Sequence, residues 1–316
     1  MPIYIAGRIN IDHIIEIEGV IARGRKYRGK IIEVDVGGTA SNIATAIARM
    51  RWDLKPVLLG AIGRDFQDYV FGRLAPEGID LRFLKVLEAD TGKAYVFVDP
   101  EGEPTIVTIP GANDLYSEEH VPPIDDAVAL VLGNTTFSVA CKILSMKPKS
   151  ALLFMDPHSL WAEIQDYVAS IGGQCFYLPN ETELFLYSNV DVNDVESLKR
   201  YAERIGCSII VKRGSRGVVA LHKGVLIRAG AIALESMGLR VVSTAGCGDV
   251  FTGVFVAMYT KSGDIVEALK YSLVAAALKA SRISPRASPT IDELDYYIEH
   301  LEKKNLINLE IKEAKM

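Results

Sequence analysis

Ser243-Thr244-Ala245-Gly246-Cys247-Gly248-Asp249 is the stretch on which the fold reading turns. Small residues run straight into an apolar-periodic segment at 250–261, with Phe251, Val254, Phe255 and Met258 on one face. Glycines ahead of a helix let backbone N–H groups approach a ligand closely. The helix N-terminus adds roughly half a positive charge. Such a corner suits a phosphate anion. Asp249 opens the helix, where it either caps orphan N–H groups or stands beside the anion as a general base. Spacing leaves both roles open.

Working outward, strand-like apolar runs at 127–132, 151–155, 175–178 and 208–211 alternate with helical stretches, notably Val195–Ile205. A hairpin is predicted at 218–221 and 225–228 around His222-Lys223-Gly224. Helices are expected at 249–261, Ile265–Ala280 and Ile291–Lys303. Toward the N-terminus a strand at 3–6 ends at Gly7. Ile43, Ala46, Ile47 and Met50 then recur with a helical period. A strand at 57–59 and a helix at 66–74 follow. This rhythm predicts a three-layer α/β/α fold with a mostly parallel sheet. Extended stretches at 11–17 and 30–36, and a hairpin at 94–98 and 105–109, break the rhythm. They read as a small β-sheet lid.

Composition narrows the classes. The 316 residues carry a net charge of −5, with 49% hydrophobic and 24% charged residues. That is an ordinary globular balance, and its mild acidity argues against broad nucleic-acid binding. No apolar run approaches the ~20 residues that cross a bilayer. No secretory signal is visible, so a cytoplasmic location is expected. Cys141, Cys175, Cys207 and Cys247 form no CxxC pair, and reduced, mostly buried thiols are expected. No HExxH, GxSxG or GxGxxG is present, which excludes the common zinc protease, α/β-hydrolase and nicotinamide dehydrogenase signatures. Gly24-Arg25-Lys26-Tyr27-Arg28-Gly29-Lys30-Ile31 nearly matches a P-loop, but Ile31 replaces the needed hydroxyl and a β-alternating run follows. The basic segment Arg23–Lys30 reads as a solvated turn or as a contact for a substrate phosphate.

Other polar or Gly-rich sites fall just past strands, where open α/β sheets bind ligands. Asn10 and Asp12 follow the first strand. Gly37-Gly38-Thr39-Ala40-Ser41-Asn42 leads into a helix, either as a tight turn or with Asn42 aimed at a ligand. Asn180 and Glu183 follow the run at 175–178, and Lys212-Arg213-Gly214-Ser215-Arg216-Gly217 follows 208–211.

The order of these motifs resembles the ribokinase-like, or PfkB, carbohydrate kinases over nearly the whole chain. Gly37–Asn42 and Gly60-Ala61-Ile62-Gly63-Arg64-Asp65 resemble the family's N-terminal signature. Gly111-Ala112-Asn113, Asn180-Glu181-Thr182-Glu183 and Thr244–Asp249 resemble its later motifs. The resemblance implies ATP-dependent, magnesium-assisted phosphoryl transfer to a hydroxyl of a small sugar or nucleoside. Asp249 would be the base, with an anion hole from the amides of Gly246, Cys247 and Gly248. Asn10, Asp12, Gly37, Gly38 and Asn42 would hold the acceptor. Asn180, Lys212, Gly214, Ser215 and Gly217 would line the nucleotide, and Glu183 would organise Mg²⁺. The core would comprise residues 1–10, 36–80 and 112–316. The lid would comprise 11–35 and 81–111, and would pair two subunits.

Departures bear on the details. Ser243 stands where the family usually has Asp, which puts monovalent-cation activation in doubt. Lys212 replaces a commoner Thr, and Leu273 sits where many members carry an Asn near the adenine, so ADP stays open as donor. Residues 91–99 and Asp156-Pro157 look closest to archaeal-type nucleoside and sugar kinases. Nucleoside and pentose acceptors are favoured about equally, somewhat above hexose. A cyclic polyol, a sugar phosphate, or a catalytically silent sugar sensor of the same fold are the alternatives.

Overall fold

Buried apolar strands joined through amphipathic helices build this molecule, and a computed structural model describes residues 1–313. The first third contains β1 (Pro2–Ala6), β2 (Asn10–Ile17), β3 (Gly29–Gly37), α1 (Thr39–Ala48), β4 (Lys55–Leu59), β5 (Ala61–Gly63), α2 (Gln67–Leu74), β6 (Lys85–Leu87), β7 (Gly92–Val98) and β8 (Pro104–Ile109). The middle holds β9 (Ala129–Leu132), α3 (Phe137–Ser145), β10 (Leu152–Met155), α4 (Trp161–Ile171), β11 (Cys175–Tyr177), α5 (Glu181–Ser188), α6 (Val195–Ile205) and β12 (Ser208–Lys212). The last part adds β13 (Val218–His222), β14 (Val225–Ala229), α7 (Cys247–Ser262), α8 (Ile265–Ala280), α9 (Ile291–Lys303) and β15 (Leu309–Glu313).

The large sheet runs β15-β14-β13-β12-β11-β10-β9-β1-β4. From β4 to β12 every pairing is parallel, and from β12 to β15 every pairing is antiparallel. Strand periodicity splits the apolar residues between two cores. Ile3, Ile5, Phe154 and Phe176 face Ile43 of α1, Val254 and Phe255 of α7, Leu269 of α8 and Leu294 of α9. Tyr4, Leu153, Met155 and Tyr177 face Val139 of α3, Trp161 of α4 and Leu198 of α6. The expected three-layer α/β/α fold is present.

β3-β2-β7-β8 form the separate lid sheet. Ile14, Ala94, Val96 and Val98 bury its inner face against Ala245 of the loop entering α7. The β7–β8 turn touches the same loop: the Thr244 amide donates to Gly102 O at 3.1 Å, and its hydroxyl to Glu103 at 3.1 Å. The near-P-loop segment lies in the β2–β3 connection and leads into a strand, not a helix. Within the span expected as lid, Leu81 and Leu84 pack into the larger core, and β6 pairs with β5.

One expectation is corrected. Cys175 and Cys207 are joined by a disulfide, with Cα atoms 4.8 Å apart, while Cys141 and Cys247 are free. The pair is 32 residues apart in sequence, so spacing gives no sign of it. Cys175 starts β11 and Cys207 immediately precedes β12, its parallel neighbour. Neighbouring strands bring such positions within disulfide reach.

Candidate active site

Gly246 caps α7 at φ +79°, a left-handed conformation that glycine adopts without penalty. A Cβ there would also stand 2.3 Å from Pro285 O. The Cys247 amide closes this turn by donating to Thr244 O at 3.2 Å, and Val250 makes the first helical bond to Gly246 O. The amides of Gly248 and Asp249 therefore belong to the first turn, which has no intrahelical acceptors. Asp249 does not cap its helix. Its Oδ2 accepts from Asn42 Nδ2 at 2.7 Å. Burial pushes its carboxyl above the ordinary range. The Asn42 bond opposes that rise, Asp156 adds to it, and His158 and Lys212 pull the other way.

Asp12 and Asn42 approach the same point from β2 and α1. Both are buried, and Asp12 Oδ1 and Asn42 Oδ1 have no hydrogen-bond partner among the described residues. Buried polar atoms are rarely left unpaired, so these two mark where ligand hydroxyls fit. Gly37 makes room: a Cβ on it would overlap the Asp12 carboxylate at 1.9 Å. Burial first, then the charges of Asp249 and Asp35, lift Asp12 to about 7. Gly38 is the N-cap of α1. Asn10 is turned to a different task. Its Oδ1 accepts from Asn113 Nδ2 at 3.0 Å, and Asn113 also holds both backbone groups of Ile9. That network pins the root of the lid.

The opposite side of the α7 N-terminus is strongly charged. Asn180 and Glu183 form a capping box on α5. Glu183 Oε1 meets His158 Nδ1 at 2.7 Å, and Oε2 accepts from the Asn180 amide at 2.9 Å. Burial works against the Glu183 charge, but the His158 bond and the Lys212 charge outweigh it and hold the carboxyl at about 2. Burial likewise works against a charged His158, yet Glu183 and Asp156 raise it to about 9. Lys212 Nζ donates to Asp156 Oδ2 at 2.5 Å and to the Thr252 hydroxyl at 3.3 Å. Thr252 itself donates to Asp156 Oδ2 at 2.7 Å. A Cβ on Gly248 would lie 3.7 Å from Lys212 Nζ, so this ammonium adjoins the first turn of α7.

Gly214 and Ser215 sit on an exposed turn between β12 and β13, and Gly217 closes it at φ +84°. Arg213 and Arg216 both reach Glu181. Leu273 is buried in the larger core.

The structure thus gathers Asp12, Asn42, Asp249, Lys212 and Glu183 around one end of the parallel strands. His158 and Thr252 join them without having been singled out. His158 follows β10, in the position where open sheets place ligand-binding residues. Its φ of +50° adds backbone strain of the sort that concentrates at functional sites. Among the described residues no cluster of three or more His, Cys, Asp or Glu side chains could hold a metal by itself. A magnesium ion that keeps its waters and binds mainly through nucleotide phosphates needs only one or two carboxylates. Glu183, and Asp156 with its unpartnered Oδ1, fit that smaller demand.

Similar proteins align with almost the whole chain. A ribokinase of Haemophilus influenzae is 25% identical over 94% of the chain and 98% of its own length. An ATP-dependent ribose-1-phosphate kinase of Halopiger xanaduensis is 27% identical over 93% and 96%. The ribokinase structure from Giardia lamblia superposes with a TM-score of 0.80 at 22% identity, covering 94% of this chain and 98% of that one. The pfkB family carbohydrate kinase profile matches residues 3–292, and the chain belongs to that family of kinases.

Proposed function

We propose that this kinase transfers the terminal phosphoryl group of ATP to a hydroxyl of a pentose or nucleoside, with Asp249 as general base. The observation that carries the reading is the Asn42–Asp249 contact at the N-terminus of α7. It places a carboxylate of raised proton affinity beside the amides of a helix start.

The acceptor lies against Asp12, Gly37, Gly38 and Asn42. Asp12 Oδ1 and Asn42 Oδ1 receive its hydroxyl protons, and Asp249 takes the proton of the attacking hydroxyl. The amides of Gly246, Gly248 and Asp249 at the start of α7 stabilise charge that develops on the transferred group, while the Cys247 amide, expected among them, closes the turn onto Thr244 O. One preorganised donor of this kind is worth on the order of 10²–10³ in rate. Lys212 adds a point charge next to that turn. The nucleotide extends over Asn180 and the Gly214–Gly217 turn. Magnesium, when bound with the nucleotide through Glu183 and Asp156, neutralises phosphate charge. The lid excludes water as a competing acceptor. It also pairs two copies of the chain: its edge strands carry Ile31, Ile106, Val107 and Ile109, all exposed.

A kinase screen tests the reading. Pentoses, nucleosides, hexoses, polyols and sugar phosphates are offered with ATP or ADP, and acceptor phosphorylation is followed directly. Asp249→Asn should lose turnover by roughly 10²–10⁴-fold while still binding acceptor. Undiminished turnover in that variant removes Asp249 from the role of base.

A further inference from the structure

Lys279, in the last turn of α8, is completely buried, yet among the described residues it has no carboxylate partner. Its ammonium instead donates to two main-chain carbonyls, Ser243 O and Arg282 O, each at 3.0 Å. Ser243 is on the strap that leads into the Gly246 turn. The end of α8 grips the same strap a second time, because Ala280 O accepts from the amides of Val242 and Ser243 at 2.8 and 3.1 Å. Burial lowers the proton affinity of the Lys279 amine and the Arg282 charge lowers it further, while the carboxylates of Glu33 and Asp249 act to keep it charged. Asp249 belongs to the first turn of α7.

Burying an ammonium without an ion pair is costly, and an apolar side chain would fill the space without that cost. The charge therefore does something that packing does not. Backbone carbonyls converging on a dehydrated point charge also make up the donor set that takes a potassium ion. Here the ammonium already holds those carbonyls. Ser243, the residue on the strap, offers a neutral hydroxyl, and that hydroxyl already accepts from the Ala245 amide at 3.3 Å. The residues present do not fit an exogenous monovalent cation.

We propose that Lys279 is a built-in cation. It positions the loop leading into α7 and supplies, from behind, the positive charge that a dissociable monovalent ion would otherwise bring. Turnover is then indifferent to potassium. Lys279 is a positioning residue, since it touches carbonyls of the loop and not the reacting atoms. The inference rests on the loop's assignment as the anion hole.

The first test needs no variant. Wild-type turnover is measured on the acceptor found by the screen, exchanging potassium chloride for tetramethylammonium chloride at fixed ionic strength. The two rates should agree within about twofold, and Tm should show no potassium-specific rise. A potassium stimulation of about fivefold or more overturns the proposal. The second test is Lys279→Ala, which should lower kcat at least about tenfold with acceptor KM little changed. Added methylammonium or potassium should restore part of that loss, and tetramethylammonium should not. Unchanged kcat, or a lowered Tm with no cation-specific recovery, shows a purely structural lysine. Asp249→Asn separates the two readings. If that variant keeps turnover, Asp249 is not the base and the reading of the α7 start as the reaction centre falls with it; if it is inactive while the wild type requires potassium, the Lys279 proposal alone falls.

Discussion

Asn42 Nδ2 lies 2.7 Å from Asp249 Oδ2, joining residues 207 positions apart. The contact depends on α1 and α7 packing in one core on the same face of the large sheet. It stabilises the charged form of Asp249 against the effect of burial. Asn42→Ala should therefore move the acid limb of the pH–rate profile to higher pH. Turnover at neutral pH should fall about 10- to 100-fold. A pH–kcat/KM profile that keeps the wild-type midpoint would show that Asn42 serves only the acceptor.

Asp12 raises the opposite question, because function and stability conflict there. Its folded-state value is about 7, against 3.8 ordinarily, because burial and the charges of Asp249 and Asp35 disfavour the carboxylate. The fold prefers the protonated form. Stability from this group is present below pH 3.8 and is lost as pH rises through about 7. Asp12→Asn should thus raise stability at pH 8, by up to about 4 kcal/mol, and change it little near pH 4. Acceptor binding should weaken sharply. Chemical denaturation at both pH values checks the sign; an asparagine variant less stable at pH 8 would refute the account.

Much of this was legible in the chain itself. The Gly-rich entry to α7, the strand rhythm and the helices Val195–Ile205, Ile265–Ala280 and Ile291–Lys303 all follow from local pattern. So does the placing of Asp12, Asn42, Asp249, Lys212 and Glu183, which lie in motifs. What escaped was long-range pairing that brings in residues with no motif of their own. His158 meets Glu183 across 25 positions, Thr252 meets Asp156 across 96, and Lys279 meets Ser243 across 36. The Cys175–Cys207 bond escaped for the same reason. Lys279 sits in an Ala-rich helix that reads as plain core apart from its charge. Asn10 has a bond that local pattern did not show: its side-chain oxygen accepts from Asn113, 103 positions away.

Lys212 and Asp156 should behave as a unit. The pair is nearly buried, and Thr252 shares the same carboxylate oxygen. Removing one partner strands the other charge, a loss of about 3–5 kcal/mol for buried pairs. Asp156→Asn and Lys212→Met should each destabilise, and the double variant should be less affected than the sum of the two. Turnover should not share that recovery, because the double variant still lacks the ammonium beside Gly248. A double-mutant cycle run on both Tm and kcat distinguishes the stability role of the pair from its catalytic one. Additive effects on Tm would mean that the two charges are not coupled.

The His158–Glu183 pair sets a pH window. His158 is raised to about 9 from 6.5, burial being outweighed by the Glu183 bond and by the charges of Asp156 and Glu183. Its contribution to stability is fully present below pH 6.5 and is lost as pH rises through about 9. Glu183 is lowered to about 2 from 4.5, again against burial. Its contribution is present above pH 4.5 and is lost as pH falls through about 2. Both contributions to stability are therefore fully present at roughly pH 4.5–6.5. His158→Gln keeps an amide donor for Glu183 and removes the titration. Wild-type protein should lose stability between pH 6.5 and 9, and the variant should lose measurably less over the same range. Urea midpoints at pH 6 and pH 9 decide the matter, since equal changes in the two proteins would mean that His158 does not carry the raised charge. The strained His158 backbone adds a second expectation. His158→Gly should relieve the strain but lose the pair, so its stability should gain at pH 9 relative to the glutamine variant and fall below wild type at pH 6.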